Sequence, residues 1–421
     1  MTDTKPADTP APAPIPVVAG ISGASTMGEY FRNWFVRIRA GDTGALPVIA
    51  GLIILAVIFE ALNGNFLTAG NLVNLMVQGS VYMLFALGMI FILLLGEIDL
   101  SIGFIGGVAG VVMALLVFGD SGYPWYVGVI AGLICGAGIG FINGMVITTI
   151  GLPSFIVTLA GLLAWNGVML LILGNGGTVP INDQMISNIA NGLLDPTMGW
   201  IALAVLLVIY VGDRVFAARR RKHATEPMSV TILKIVGVCI AGILVVWLCN
   251  VNRGRAATIE GVPVVLLIDF FFAVVWTIVL SRTRFGTYVY AIGGNSEAAR
   301  RAGIAVNRIR VAVFTIAGFM GGVAGIVFAS RLRSVSTNLD GGTLVLYTIA
   351  ASVIGGTSLF GGRGKAISAI LGGLVIASID NGMGLLGISA AARYIVTGIV
   401  LVIAVTIDAL ASRGRASSGL G

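Results

Sequence analysis

The feature that most constrains this chain is a succession of apolar runs too long for a soluble fold to bury one after another. Residues 46–63 read LPVIAGLIILAVIFEALN, and 231–249 read TILKIVGVCIAGILVVWLC. Backbone that enters a bilayer must find all its hydrogen bonds within itself, so runs of this kind become helices. Twelve are assigned, at 46–63, 77–95, 102–118, 125–149, 154–173, 197–213, 231–249, 262–281, 310–331, 345–360, 366–379 and 392–411. A membrane barrel would need short alternating strands instead. Composition agrees: the chain is 57% hydrophobic and 10% charged, with mean hydropathy +1.02, where a soluble domain is roughly a quarter charged. The expectation is an all-α, polytopic membrane helical bundle of about twelve segments. Several are short or broken against the ~20 residues a straight span needs.

Charge sets the orientation. Of the 25 Lys and Arg residues, 20 fall on one side of this topology and 5 on the other. Short cationic loops stay in the cytosol, which places both termini there. The same asymmetry accounts for the net charge of +7 without a nucleic-acid partner. Residues 1–26, rich in Pro, Ala and Thr, cannot bury a core and are expected to be disordered. In 27–41, Met27, Tyr30, Phe31, Trp34, Phe35 and Ile38 share one helical face and Arg32, Arg37 and Arg39 the other. That pattern fits a helix lying in the headgroup layer, or one packed on a partner. The transmembrane domain runs from 42 to 411, with a tail at 412–421.

Two places carry chemistry. LGEIDLSIGFIGG interrupts 77–118, and GGTSLFGGRGKA interrupts 345–379. The two resemble each other weakly in sequence, yet both are glycine-rich breaks between an out-to-in and an in-to-out segment. Broken helices in the two halves of a transporter point to a substrate route. Glu97, Asp99, Ser101, Asn143, Thr357 and Ser358 are the candidates for lining it. Carboxylates at membrane depth are expensive and find water or a partner. Glu97 and Asp99 could orient substrate hydroxyls, relay protons, or cap the next helix with Ser101. A relay lacks an intramembrane histidine or a third acid. Asn143 is either an interhelical bond or a pore-lining donor. Asp380 and Asn381 sit at the external end of a short span, as mouth-lining or partner-contact residues.

The second place is the arginine-rich stretch 281–310, SRTRFGTYVYAIGGNSEAARRAGIAVNRIR. Asn295 or Ser296 can cap a helix starting near Glu297, whose charge suits the first turn. Ala298, Ala299 and Ala302 favour that helix and Gly303 stops it. A plain connector would not need this much local order.

Catalytic and metal constellations are missing. GGRGKA lacks the upstream glycine and the Ser/Thr of a phosphate loop. No GxSxG or HExxH set is usable. Cys135, Cys239 and Cys249 have no metal or disulfide spacing, and His223 stands alone in a basic loop. No residue is assigned a catalytic or metal-binding role.

The ordered motifs FLTAGNLVNL (66–75), GEIDLSIG (96–103), GFINGMVI (140–147), LPSFIVTLAG (152–161), YAIGGNSEAARRAGI (290–304) and VIGGTSLFGGRGKA (353–366) resemble those of the permease subunits of bacterial ABC importers for ribose, xylose and related monosaccharides. The resemblance covers about 45–411. The extra spans and basic loop around 197–249 are most similar to the xylose-type branch. It implies a multi-pass inner-membrane permease that moves a monosaccharide by alternating access and binds no cofactor itself. ATP and Mg would sit on a separate ATP-binding cassette subunit. A periplasmic sugar-binding protein, a second permease copy and membrane lipid would be its other partners. The loop 282–310 would then be the coupling loop, with Gly293, Gly294, Asn295, Glu297, Ala298, Ala299, Arg300, Gly303 and Ile304 meeting the ATPase. Ala299→Arg is expected to overfill the docking cleft. The Glu-Ala-Ala then Gly spacing of the wider importer motif is met by Glu297, Ala298, Ala299 and Gly303, while that motif's downstream Leu-Pro is absent. The competing class is a secondary sugar transporter driven by protons or sodium.

Overall fold

The structure is a computed structural model. It describes Gly28, Glu29, Arg32 and residues 45–417, apart from 120–121, 175–176, 221–227, 255 and 338–340. The tail at 1–26, most of the proposed interfacial helix with Phe31, Trp34 and Phe35, and His223 lie outside the described residues.

Every apolar run becomes a helix. In chain order these are α1 (Leu46–Asn63), α2 (Ala69–Leu94), α3 (Ile102–Val117), α4 (Trp125–Ile150) and α5 (Ser154–Leu173). After strand β1 (Thr178–Pro180) come α6 (Gln184–Asn191), α7 (Pro196–Arg220), α8 (Met228–Cys249) and α9 (Val264–Arg282). Two short helices, α10 (Arg284–Gly294) and α11 (Ser296–Arg301), lead into α12 (Val306–Leu332). Strand β2 (Ser334–Ser336), α13 (Gly341–Ile354), α14 (Ala366–Leu385) and α15 (Ala390–Ser417) complete the chain. Among the described residues, eight of these helices are long and apolar enough to cross a membrane.

The helix boundaries have local causes. Pro124, Pro153 and Pro263 stand just before α4, α5 and α9, where a missing N–H removes no helical bond. Thr68 caps α2 by accepting from the Asn71 N–H at 3.4 Å. α3 and α13 have 16 and 14 residues, so at 1.5 Å per residue each is only ~21–24 Å long. Neither spans a ~30 Å hydrocarbon core alone. Several expected segments prove longer than hydropathy suggested: α7 reaches Arg220 rather than 213 and α15 reaches Ser417 rather than 411. α2 starts at Ala69 rather than 77, and α14 runs past 379 to Leu385, so Asp380 and Asn381 lie within it. Polar residues near those ends pair with one another: Asn71 Nδ2 donates to Asn381 Oδ1 at 2.8 Å, and Gln78 donates to Asp380. Paired amides and carboxylates can continue a helix that a hydropathy window cuts short.

α2 is the hub. Every residue from Gly79 to Leu94 is buried, under α12, α13, α14 and α9. The outer helices show the reverse pattern. On α1 Ile53 and Val57 are 60% and 62% exposed, and on α8 Leu244 and Trp247 are 56% and 59%. Apolar side chains facing outwards on this scale fit lipid or a partner subunit.

α4 and α12 pack backbone to backbone. Gly132, Gly136, Gly140 and Gly144 recur every four residues on α4 and so share one face. A Cβ at Gly136 would lie 2.6 Å from the Gly318 carbonyl, and one at Gly140 would collide with that of Phe314. Small residues at such spacing let helices close in where hydrophobicity supplies no drive between them. Gly140→Leu should therefore remove nearly all monodisperse permease on gel filtration in detergent, because α4 would have to part from α12.

The strands were too short to read from sequence. β1 and β2 pair antiparallel, Val179 opposite Val335. Beside them Ser330 of α12 donates to Ile186 O at 2.6 Å and accepts from the Ala190 N–H at 2.9 Å, holding α6 in place.

Candidate functional site

The arginine-rich stretch is ordered as its residue types suggest. The Asn295 side chain accepts from the Ala298 N–H at 2.9 Å and caps α11. Glu297, in the first turn, receives Arg301 Nε at 3.1 Å and stands 4.0 Å from Arg300 Nη1. These exposed pairs contribute little. Gly303 ends the helix with φ +84°, a conformation that costs glycine no steric strain. Ile304 then turns back, its N–H on the Ala299 carbonyl at 3.1 Å. α11 presents Glu297, Ala298, Arg300 and Arg301 outwards, whereas Ala299 is buried against the chain's own core. An arginine at 299 would thus disturb the permease before it met any partner.

The root of this segment sits between the two breaks. At Gly293, near the end of α10, an added Cβ would collide with the Leu94 carbonyl and lie 2.5 Å from Gly362 N. Gly362 N–H donates to Leu94 O at 2.9 Å, which ties the second break to the end of α2. A Cβ at Gly361 would come within 2.7 Å of Gly293 O and 2.9 Å of Gly96 N. Tyr290 donates to Gly364 O at 2.7 Å, and burial pushes its phenol up from its ordinary range. Both breaks and α10 thus meet at one joint.

Glu97 is 8% exposed and pairs with Arg310 Nε at 2.6 Å, joining the first break to the first turns of α12. Asp99 and Ser101 are fully buried and Asn143 is 4% exposed. One Asp99 oxygen accepts from the Ser101 N–H at 2.8 Å and the Ser101 hydroxyl at 2.6 Å. Asn143 Nδ2 donates to Ser101 Oγ at 3.0 Å, and Thr158 donates to Ile98 O at 3.2 Å. The first break is therefore pinned to α4 and α5. Thr357 and Ser358 are buried in the second break, where Ser358 N–H donates to Arg363 O at 2.9 Å. Asp99 Oδ2 and Thr357 Oγ1 have no hydrogen-bond partner among the described residues.

Two features escaped the sequence reading. Asp269, inside α9, is a further buried acid within the spans, 4% exposed with Ser80 of α2 beside it. A polar group also spans α2, α14 and α15, in which Asp380 receives Tyr82 at 2.9 Å and stands 3.5 Å from Arg393 Nη1. Asp269 was hidden by its apolar neighbours in LLIDFFF. Asp380 itself stands out in the sequence as a mouth-lining or partner-contact residue, but its partners Gln78, Tyr82 and Arg393 are scattered along the chain and have no spacing to find.

A helical bundle of this kind, with broken helices over a cationic elbow, is the architecture of a transport permease. The family model described as "Branched-chain amino acid transport system / permease component" matches residues 71–405. The xylose transport system permease protein XylH of Escherichia coli (strain K12) is 37% identical over 388 residues, covering 90% of this chain and 95% of the relative. XylH of Haemophilus influenzae is 35% identical over 369 residues, covering 86% and 95%. The ribose import permease protein RbsC of Escherichia coli (strain K12) is 31% identical over 360 residues, covering 86% and 92%. No solved structure matches the chain. The chain belongs to this family of transport permeases, alongside its xylose and ribose members.

Proposed function

We propose that the chain is the inner-membrane permease of an ATP-driven importer for a monosaccharide of the xylose or ribose kind. The xylose and ribose permeases among its relatives favour a sugar over the amino acids in the family description. The observation that carries the reading is the joint beneath α11. A capped helix exposes Glu297, Ala298 and Arg300, while its root at Gly293 is wedged against both breaks. An ATPase gripping α11 would move the two breaks together. Asp99, Ser101, Asn143, Thr357 and Ser358 would line or frame the path, and the buried, unpartnered Asp99 and Thr357 oxygens would meet a hydroxyl or water once the breaks part. ATP and Mg belong on two ATPase subunits, a sugar-binding protein docks on the periplasmic face, and a second permease copy completes the assembly.

The test uses the assembled transporter in vesicles. Sugar uptake should need ATP and persist when an uncoupler collapses the ion gradient. Ala298→Arg, on the outward face of α11, should strip the ATPase from the purified complex without lowering permease yield. Uptake that dies with the ion gradient would make this a secondary transporter. Unchanged ATPase retention would move the coupling surface elsewhere.

A further inference from the structure

We propose that the permease carries its own binding station for a neutral polyol, in the pocket between Asp380, Arg393, Tyr82 and Tyr347. The station rests on the monosaccharide reading and adds to it a site within the membrane subunit. It lies away from the glycine joint: Tyr82 is twelve residues from Leu94 along α2, ~18 Å at 1.5 Å per residue. The cavity holds about 210 Å³.

Its lining fits a polyhydroxylated ligand. Asp380 and Arg393 stand 3.5 Å apart and balance each other's charge, so the pair brings no net charge that would favour an ion. Hydrogen-bonding capacity remains. Asp380 Oδ2 already accepts from Tyr82 and Gln78, but the pair with Arg393 leaves Oδ1 room for another donor. Arg393 spends Nε on the Ile388 carbonyl at 3.0 Å and Nη1 on Asp380, leaving further guanidinium N–H groups. A sugar hydroxyl both donates and accepts, and this pair offers both. Tyr82 and Tyr347 meet edge to face, centroids 5.4 Å apart at 85°. They form an aromatic corner for the C–H side of a pyranose.

The pocket also leads inwards. Phe328 and Leu344 line it and also line a second cavity of about 220 Å³, whose walls include Gly103, Gly106, Gly110 and Gly325. They are thus an apolar partition between a polar vestibule and a glycine-walled chamber beside the first break. A ligand held at Asp380 and Arg393 has one partition to pass before it reaches that chamber.

Ala390 lines the vestibule and is exposed; its neighbour Ala391 is exposed but does not line it. With Cys135, Cys239 and Cys249 replaced by alanine, Ala390→Cys in the assembled transporter is titrated with a small water-soluble thiol reagent. D-xylose, D-ribose, D-galactose and xylitol are the probes, and D-xylonate is the anionic control. At ten times its apparent dissociation constant, a bound probe should slow modification about tenfold by mass action. Ala391→Cys should react at an unchanged rate, and D-xylonate should protect neither. Asp380→Asn or Arg393→Lys should remove the protection while Ala390→Cys stays reactive. If no neutral probe slows Ala390→Cys, or if Ala391→Cys is slowed equally, the station does not exist. Sugar uptake without protection overturns the station alone, whereas failure to take up any probe overturns the monosaccharide reading with it.

Discussion

Replacing Arg310 with glutamate should cut uptake about a hundredfold or more, and adding Glu97→Arg in the same chain should restore part of it. Arg310 and Glu97 pair at 2.6 Å, with the glutamate side chain 9% and the arginine 30% exposed. Removing one partner of a buried pair costs ~3–5 kcal/mol, because the other is left uncompensated; partial exposure of Arg310 places this pair at the low end. The pair links the first break to the start of α12, so its loss uncouples two segments that must move together. Uptake per folded transporter, with ATPase retention checked, is the measurement. If Arg310→Glu transports at the wild-type rate, the pair is incidental. If the reversed pair recovers nothing, the positions matter for more than their mutual charge.

The second large effect separates adjacent glycines. Gly293→Ala should nearly abolish the yield of folded permease, whereas Gly294→Ala should leave it intact. A methyl at 293 would run into the Leu94 carbonyl, while nothing lies within 4 Å of one at 294. Overpacking typically costs ~1–3 kcal/mol where side chains can yield; here the obstacle is backbone. Gel filtration and thermal melting of the two variants in the same detergent decide it. Equal yields would mean that α10 is not wedged between the breaks.

Hydrophobic runs fix helices strongly, and the arginine-rich segment carried its own signals. Asn295, the alanines and Gly303 define α11 through bonds a few residues apart, which local sequence can show. Glu97 was recognisable as a costly carboxylate, but its partner Arg310 was indistinguishable from the other arginines of its loop. Nothing local says which cation a distant acid will meet. Asp269 lay within an apolar run whose average hid it. The Asp380 group draws Gln78 and Tyr82 from α2, Tyr347 from α13 and Arg393 from α15, so it exists only once these helices are packed with α14. The two three-residue strands are likewise products of tertiary placement.

The joint of Gly96, Gly293, Gly361 and Gly362 can also be considered as a mechanical part. In most packed interfaces side chains are the compliant layer, since rotamers can change and absorb a small displacement. At Gly293 main chain rests on main chain, and no rotamer lies in that contact between α10 and the two breaks. A shift imposed on α11 has little to dissipate it before it reaches the end of α2 and the turn at Gly362. Such a linkage has almost no play: it transmits a stroke whole or, when blocked, not at all.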